Sequence, residues 1–359
     1  MKLFLEPIDV WLFRDGRPFD AGSDHRAESL FPPPPSVIQG AVRSHHLIVK
    51  GVDLHDKAAI EAAVGTSTTY PKGFKVRGPF LARYVENDLT LYLPLPADAF
   101  KDGERFVALR PHTPPPELMA GIPTPMWLLP EKEPEKFEEV VWVSLDALQE
   151  YLNQGELKAD EGAFKSGRLA RPSDLYVREN RMGIRLLKET RTVEEGALYE
   201  VEFIRPRPDV GLYVEVYGFD GWPSEGVMRL GGEGHGARFR QIEAPDWPQP
   251  QEPLPERFKI YFATLAYFKG GWQPEDGDWS RFFEGEVELQ GAAIGKYVAL
   301  GGFDLAKDPT KNPHKPARRY VPPGSVYFFT TRGEARLRVE AVTEDGAEIG
   351  FGQILIGRW

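Results

Sequence analysis

Short runs in which apolar and polar residues alternate dominate the chain, and this two-residue period predicts β-strands. Residues 197–217 alternate, reach a turn at Pro206–Asp209 and then alternate again. Residues 80–93 predict two strands on either side of a turn at Asn87–Asp88. Four more strands are predicted, at 257–265, 324–331, 335–342 and 350–357. The hydrophobic pattern therefore predicts a protein rich in antiparallel β-structure.

Helical periodicity is confined to fewer segments, which are predicted at 36–49, 55–64 and 145–153. Ser36 and Ser144 stand where an N-cap is expected, and Gly155 follows the third segment as a C-cap would. The prolines at 32–35 lie directly before the first helix, so we interpret them as a rigid entry to it rather than as a ligand for polyproline-binding domains.

The order of strand, helix and hairpin recurs in both halves of the chain and predicts an α+β protein with antiparallel sheets and helices on one face. A βαββαβ ferredoxin-like plan accommodates both halves. A length of 359 residues suggests two domains, which we predict at 1–190 and 191–359, with interleaving of strands between them left open.

Cysteine is absent, which excludes disulfides, thiolate metal sites and a cysteine nucleophile. No apolar run reaches the length of about 18 residues that a transmembrane helix needs. The first ten residues lack the pattern of a signal peptide. We therefore expect a cytoplasmic protein without a membrane partner.

Charge is unevenly distributed along the chain. The 54 acidic and 44 basic residues give a net charge of −10, which argues against a free-standing nucleic-acid binder. Residues 165–191, however, hold eight basic and three acidic residues, a local +5, and 306–319 hold five basic residues and one acid. Residues 131–161 hold ten acids and three lysines, a local −7. Either the surface is polarised between RNA and protein, or these charges are solvated on unrelated loops.

The segment 11–43 is the best candidate site, because a loop of mixed charge there follows an apolar strand-like start and precedes a helix. Its basic side chains suit phosphate, since arginine makes bidentate contacts and stacks on unpaired bases. The candidates are Arg14, Arg17, His25 and Arg26 in the loop, with Gln39 and Arg43 on one face of the helix. The alternative is that Asp15, Asp20 and Asp24 neutralise the arginines in local ion pairs.

Residues 230–239 form a glycine-rich segment that formally fits the dinucleotide pattern G-x-G-x-x-A. That fingerprint must open a helix, whereas the residues that follow alternate like a strand. Two interpretations stay open: a tight turn between strands, or a concavity of backbone amides that holds phosphate beside Arg229, His235 and Arg238. An enzyme that binds a small ligand at this loop is a weaker alternative.

His25, His45 and His46 raise the possibility of metal-independent RNA cleavage, which needs a general base and a general acid. The seven histidines are scattered, and the neighbours His45 and His46 point in different directions on a helix. The spacings of zinc and calcium sites are absent from the sequence. We therefore expect binding rather than catalysis, and no metal or cofactor.

The run LFRDGRPFDAGSDHRAESLFPPPPSVIQGAVR, residues 12–43, closely resembles the start of the RAMP proteins of the Cmr complex, in particular the third subunit of the type III-B CRISPR effector. The resemblance continues through GIPTPMWLLP (121–130), LYVRENRMGI (175–184), LGGEGHGARF (230–239), FKGGW (268–272), RRYVPPGSVYFF (318–329) and GFGQILIG (350–357). It thus covers nearly the whole chain, and the order of the motifs makes chance agreement improbable.

This resemblance implies two ferredoxin-like (RRM-like, RAMP) domains with large insertions. It also implies a non-catalytic, RNA-binding structural subunit that holds the 5′ tag of the CRISPR RNA and bridges the large palm-domain subunit to the backbone RAMP subunit. The alternative is a metal-independent endoribonuclease that processes CRISPR repeat RNA. The residues predicted to contact RNA are Arg14, Arg17, His25, Arg26, Gln39, Arg43, Arg178, Arg181, Gly231, Gly232, His235, Arg238, Lys311, Lys315, Arg318 and Arg319.

Overall fold

A computed structural model describes residues 1–14, 26–115, 123–135, 137, 139–187, 190, 192–303 and 314–359. The chain divides into two compact units. Unit 1 comprises Met1–Asp88, Leu175–Glu243 and Ala299–Arg318, and unit 2 comprises Leu89–Asp174, Ala244–Val298 and Arg319–Trp359. Each unit is assembled from three segments, and the chain passes between units at points other than the predicted boundary near residue 190.

The α-helices in the described part of the chain are α1 (Pro35–Val49), α2 (Lys57–Val64), α3 (Leu145–Gln154), α4 (Glu161–Lys165) and α5 (Pro172–Leu175). The three predicted helices are confirmed as α1, α2 and α3. Ser144 caps α3 as predicted, since its hydroxyl accepts a hydrogen bond from the Ala147 amide at 3.4 Å, and Gly155 ends the helix with a φ of 79°.

The predicted cap at Ser36 is wrong. The N-cap of α1 is Pro34, which makes no side-chain capping bond, and the helix begins at Pro35, so Ser36 lies within the first turn. Proline at the first helical position has no N–H to satisfy and already holds the helical φ, so this end needs a capping side chain less than most. The proline run therefore enters the helix rather than stopping short of it.

The strands in the described part of the chain are β1 (Lys2–Pro7), β2 (Arg26–Ala27), β3 (Lys75–Val85), β4 (Asp88–Pro94), β5 (Ala99–Asp102), β6 (Arg105–Ala108), β7 (Arg110–His112), β8 (Trp127–Leu129), β9 (Trp142–Ser144), β10 (Glu156–Lys158), β11 (Leu169–Ala170), β12 (Tyr176–Leu186), β13 (Val193–Pro206), β14 (Val210–Tyr217), β15 (Glu225–Arg229), β16 (Gly236–Gln241), β17 (Arg257–Phe262), β18 (Phe283–Ala293), β19 (Val298–Phe303), β20 (His314–Tyr320), β21 (Val326–Leu337) and β22 (Ile354–Arg358). Single turns of 3₁₀ helix lie at Gly232–Gly234, Glu275–Gly277 and Ala347–Ile349.

The strands predicted from alternation correspond to β3, β4, β13, β14, β17, β21 and β22, with differences in their bounds, whereas strands such as β12 and β18 lie outside the predicted segments. The predicted turn at Asn87–Asp88 falls one residue earlier, because Glu86 and Asn87 take the positive φ values of 50° and 70°. The strand predicted at 324–331 and the first residues of the one predicted at 335–342 form a single strand, β21, which ends at Leu337. Arg332 pairs with Glu286 of β18 and Arg336 pairs with Glu284, so β21 continues across the expected break through an irregularity in which Gly333 has a φ of 86°. The strand predicted at 350–357 begins only at Ile354, as β22.

The main sheet of unit 1 has the order β3-β14-β1-β16-β15, and its neighbouring strands are antiparallel. On the central strand β1, Leu3 lies opposite Val214 of β14 and Gln241 of β16. Leu3, Phe4 and Leu5 are fully buried, so both faces of β1 are covered. Helix α1 packs on this sheet through contacts with β3 and β15.

A second sheet of unit 1 has the order β12-β13-β2, in which β12 and β13 form a long antiparallel hairpin and β2 runs parallel to β13. A small apolar cluster fixes this sheet. It consists of Val10, Leu12, Ala27, Val201 and Phe203. The cluster ties the hairpin to the segment that follows β1, which is where the candidate loop begins.

The main sheet of unit 2 has the order β18-β21-β17-β22, again antiparallel. One face of β17 enters an aromatic core through Phe258, Ile260 and Phe262. Lys259 points to the other face, where it contacts Asp98, which precedes β5, and Tyr151, which lies on α3. Strands of the unit also pair in the orders β11-β9-β4, β10-β6-β5 and β7-β8. The predicted α+β class with antiparallel sheets is confirmed.

Candidate nucleic-acid interface

The segment after β1 is fixed by backbone hydrogen bonds on three sides. Trp11 exchanges bonds with Ile204 of β13 at 2.9 and 2.8 Å, and Leu30 donates to the Phe13 carbonyl at 2.9 Å. The Gly232 amide donates to the Leu12 carbonyl at 2.8 Å. Trp11, Leu12 and Phe13 are buried, whereas Arg14 is exposed. Arg14 therefore stands at the rim of a rigid base from which the candidate loop departs.

The glycine-rich segment is a tight turn between the antiparallel strands β15 and β16, which rejects the dinucleotide pattern because no helix follows. Gly231 has a φ of 100°, and a Cβ there would lie 2.8 Å from the Leu12 carbonyl oxygen. A side chain at this position would meet both a strained backbone and a clash. Glycine thus allows the turn to close directly on the segment that follows β1, residues 8–14, which we call the opening segment.

The turn uses three of its amides inside the protein. Gly232 donates to Leu12, Leu230 donates to the His235 carbonyl at 2.9 Å, and His235 donates to the Gly232 carbonyl at 3.2 Å. These bonds favour the tight-turn interpretation over a phosphate concavity that would use the same amides. The half-buried His235 ring packs against Phe203 in a T-shaped arrangement with centroids 5.4 Å apart, and Arg238 is exposed on the following strand β16.

Arg178 on β12 joins the hairpin to the segment after β2. Its guanidinium donates to the Ser29 carbonyl at 3.0 Å and forms an ion pair with Glu202. The Glu202 carboxylate is buried and also accepts from the Ser29 amide at 3.2 Å. Arg178 therefore compensates a buried charge, and nearly half of its side chain stays exposed (44%).

Arg181 belongs to a network of two arginines and two carboxylates at the surface of the hairpin. It donates to Glu179 at 2.8 Å and lies 3.4 Å from Asp9, with its guanidinium 4.8 Å from the centre of the Phe203 ring. Arg205 bonds to the same two acids, at 2.7 Å from Glu179 and 2.9 Å from Asp9. Hydrogen bonds from Arg205 and then Arg181 hold the pKa of Glu179 below its usual range.

Hydrogen bonds from the same two arginines to Asp9 lower the pKa of its carboxyl, with Arg205 as the larger cause. All four groups are therefore ionised at neutral pH, and the network carries no net charge. Sequence reasoning included Arg181 but missed Arg205 and Asp9, which are distant from it in the chain. No sequence signal marks this network, because the register of β12 against β13 and the bridge between Trp11 and Ile204 bring it together.

Gln39 and Arg43 share a face of α1, as predicted, and Arg43 donates to the Gln39 side chain at 3.2 Å. Arg43 also donates to the carbonyls of Gly65 at 3.0 Å and Thr66 at 2.6 Å, and it lies over the Tyr70 ring. Burial lowers the pKa of its guanidinium. Arg43 thus fastens the segment after α2.

The remaining basic candidates lie on β20, where Lys315, Arg318 and Arg319 are exposed. The structure brings Arg14, Arg178, Arg181, Gly231, Gly232 and His235 together around the opening segment and the hairpin. Arg17, His25 and Lys311 lie outside the described residues, as does the side chain of Arg26, whose backbone pairs with Glu200 in β2.

Of the three histidines considered for catalysis, His45 and His46 are buried in unit 1, and His25 lies outside the described residues. The His46 ring stacks on Phe219 with centroids 3.8 Å apart, and its Nδ1 accepts from the Trp222 indole at 3.1 Å. His45 packs edge-on against Trp222 and Phe239. Burial lowers the pKa of both rings. Packed rings of this kind suit a core role better than proton transfer to an RNA backbone.

Within the described ranges, no group of three or more histidine, aspartate or glutamate residues is placed to hold a metal ion. The same ranges contain no helix that is long and apolar enough to span a membrane.

Comparison with known proteins identifies the family. The chain matches the family "CRISPR-associated protein (Cas_Cmr3)" over residues 3–359. It is similar to a solved chain from a type III-B Cmr-beta assembly bound to cognate target RNA and AMPPnP, with 17% identity, 91% of this chain and 86% of that chain covered, and a TM-score of 0.50. A second Cmr-beta structure with cognate target RNA gives 16% identity, the same coverages and a TM-score of 0.49. No curated protein matches the chain. The match over almost the full length confirms the predicted resemblance, and the chain belongs to the Cas_Cmr3 family of CRISPR-associated proteins.

Proposed function

We propose that this chain is a non-catalytic, RNA-binding subunit of a type III-B Cmr complex in RNA-guided antiviral defence, and that it acts in the cytoplasm. Membership of the Cas_Cmr3 family over residues 3–359 is the observation that carries the proposal. Within that complex it holds the 5′ tag of the CRISPR RNA and bridges the large palm-domain subunit to the backbone RAMP subunit.

Both units are proposed to contain a ferredoxin-like domain. Four strands of each main sheet can be numbered 1 to 4 in chain order. In unit 1 these are β1, β3, β14 and β16, which lie in the order 2-3-1-4, with β15 at the edge. The strands β17, β18, β21 and β22 of unit 2 lie in the same order, also antiparallel. This is the arrangement that a βαββαβ plan produces. The helix α1 occupies the first crossover of unit 1, while β15 and a 3₁₀ turn occupy the second.

The opening segment supports tag binding at one end of unit 1. Arg14 is exposed on a backbone base that β13, residues 29–30 and the glycine turn hold in place. A rigid base lowers the ordering cost of binding, and exposed arginines supply phosphate contacts and planes on which bases stack. Arg178 and Arg181 are each ion-paired to a glutamate, but their side chains remain 44% and 41% exposed, so they can donate further hydrogen bonds to RNA beside the opening segment.

The net charge of −10 suits a bridging subunit better than a protein that binds RNA alone. Exposed acids such as Glu133 and Glu139 lie in the acidic stretch 131–161, which belongs to unit 2. We propose that such acids face basic surfaces of neighbouring subunits, while the basic residues of the opening segment and β20 face RNA.

The test uses the full chain assembled with the neighbouring Cmr subunits and a CRISPR RNA. In a variant with Arg14, Arg17 and His25 replaced by alanine, we expect weaker binding of the 5′ tag and a shallower dependence of log K on log salt, by about 0.7 for each lost phosphate contact to a single strand. Fluorescence anisotropy across a salt series measures both. Arg105→Ala removes an exposed, ion-paired arginine of unit 2 and serves as the control.

Three outcomes would contradict the proposal. Failure of the chain to co-purify with the other subunits would reject its place in the complex. Unchanged tag affinity of the triple variant across the salt series would reject the assigned interface. Discrete cleavage of repeat RNA by the pure chain in EDTA, abolished by His25→Ala or His45→Ala, would favour the processing endoribonuclease instead.

A further inference from the structure

An exposed tyrosine with a cation on its ring lies where β19 begins and β20 ends. Tyr297 precedes β19 directly, and 49% of its surface is exposed. The Arg319 guanidinium lies over the ring, 4.8 Å from its centre. Arg319 and the neighbouring Lys296 are themselves exposed. All three residues belong to unit 2.

The two segments that carry this ring and its cation contain charged residues of one sign only. The segments 294–298 and 319–322 contain Lys296 and Arg319 and no aspartate or glutamate, in a chain whose acidic residues outnumber its basic ones by ten. A cation held over an aromatic ring is common on protein surfaces. Positive charge on both segments beside an exposed ring is in addition an arrangement that attracts a phosphate backbone.

The other aromatic rings on β20 and β21 pack in the protein interior. Tyr320 stacks on Phe351 with centroids 5.1 Å apart and also meets Tyr267 at 5.6 Å. Tyr327 and Phe328 are fully buried. Alternation along β20 explains the difference, since Arg319 and Tyr320 leave the strand on opposite sides. Tyr297 thus faces solvent while its neighbours stabilise the core.

The backbone around the ring is held in place before any ligand arrives. Val321 and Ala266 exchange hydrogen bonds of 2.8 and 3.1 Å two residues beyond Arg319. On the other segment, a Cβ at Gly295 would lie 3.3 Å from Pro322, so the two segments are in close contact there. Because the position is pre-organised, stacking a base on it costs little ordering of the protein.

We infer that Tyr297, backed by the Arg319 guanidinium and flanked by Lys296, is a stacking position for an unpaired base of single-stranded RNA. The ring supplies one face to the base, and the two cations neutralise adjacent phosphates. The identity of the ligand as RNA rests on the proposed function. The position itself is separate from the opening segment, which contributes none of these groups.

The experiment measures RNA affinity in the assembled complex, with a single-stranded extension of the CRISPR RNA as the probe. Tyr297→Leu should weaken binding about tenfold or more, since stacking on an aromatic side chain contributes roughly that much per base. Tyr297→Trp keeps a ring and should retain the affinity. Lys296→Gln should reduce the salt slope by about 0.7.

Matched controls come from the chain itself. Tyr217 is similarly exposed (40%) and carries the Lys75 ammonium 5.6 Å from its ring centre, so Tyr217→Leu tests loss of an exposed, cation-bearing tyrosine elsewhere. Lys269 is an exposed lysine of unit 2 that lies 3.7 Å from Glu275, and Lys269→Gln controls for loss of one charge. Both controls should keep wild-type affinity and salt slope, with circular dichroism confirming the fold of every variant.

Equal affinity of Tyr297→Leu and wild type would overturn the stacking position, and so would equal losses in Tyr297→Trp and Tyr297→Leu. Loss of a protein subunit from the Tyr297→Leu complex at unchanged RNA affinity would overturn it in favour of a protein contact. The proposed function would stand in each of these cases, provided that the triple variant of Arg14, Arg17 and His25 binds the 5′ tag more weakly than the wild type does. If the wild-type chain does not assemble with the other Cmr subunits, the proposed function itself is rejected.

Discussion

Lys259 lies on β17 of unit 2 with 1% of its side chain exposed, and Asp98, 3.1 Å away, is fully buried. The Asp98 carboxylate also accepts from the Tyr151 hydroxyl at 3.0 Å, and the Lys259 ammonium lies 4.8 Å from the centre of the Tyr151 ring. Burial, followed by the Asp98 charge, raises the pKa of the Tyr151 hydroxyl well above its usual value. Each charge thus depends on the other for compensation.

Replacing Lys259 with methionine should destabilise the protein by about 3–5 kcal/mol, because it leaves the Asp98 charge buried with only the Tyr151 hydroxyl to compensate it. Adding Asp98→Asn should recover part of that loss. Urea unfolding followed by circular dichroism measures both. Arg105→Ala breaks an exposed pair, with side chains 56% and 50% exposed, and should cost about 1 kcal/mol or less. Similar costs for Lys259→Met and Arg105→Ala would show that the buried pair contributes little.

At the scale of elements, α1 carries two histidines into the core of unit 1. His45 and His46 pack against Trp222 and Phe219, and burial is the main cause that lowers both pKa values below the ordinary 6.5. Lys50 further lowers the pKa of His46, while Asp220, which is paired to Lys50 at 2.6 Å, opposes this. The folded protein therefore binds fewer protons at these sites than the unfolded chain does.

Stability should consequently fall as the pH drops below about 6.5, where the unfolded histidines gain protons that the folded ones resist. The limiting slope is about 1.4 kcal/mol per pH unit for each histidine. Urea unfolding at pH 7.5 and 5.5 measures it. A variant with His45→Leu and His46→Gln should show a weaker pH dependence, whereas His55→Gln, at an exposed site, should keep the wild-type dependence. An unchanged pH dependence in the double variant would contradict this assignment.

Neighbouring residues in the sequence predicted where helices, strands and turns lie better than they predicted which of these elements contact one another. The cap at Ser144 and the turn at Pro206–Asp209 follow from neighbouring residues, and both are confirmed. The single strand β21 and the role of Arg43 depend on distant contacts, with β18 and with the carbonyls after α2. Sequence periodicity reports which face of an element is buried but not what covers it. For the same reason the sequence could not predict the network around Arg205.

At the scale of the whole molecule, the chain alternates between two units that share one sheet order. In unit 1, β3 and β14 are neighbours although about 120 residues separate them in sequence, a span that includes much of unit 2. In unit 2, Asp98 and Lys259 meet across a segment that includes part of unit 1. A pattern read along the chain predicts repeated strand and helix order, but long-range pairing decides which segments belong together.

A cut at residue 190 should therefore yield two fragments that do not fold alone. Fragment 1–190 lacks β14 and β16, the two neighbours of β1, so the buried residues Leu3, Phe4 and Leu5 would be exposed at two open strand edges. Fragment 191–359 lacks Asp98 and leaves Lys259 without its carboxylate. Each fragment alone should show no cooperative unfolding transition by circular dichroism. Co-expression should restore one soluble complex with a wild-type spectrum, because every pairing becomes available again. A sharp transition in isolated fragment 1–190 would instead support an independent domain with its boundary at that point.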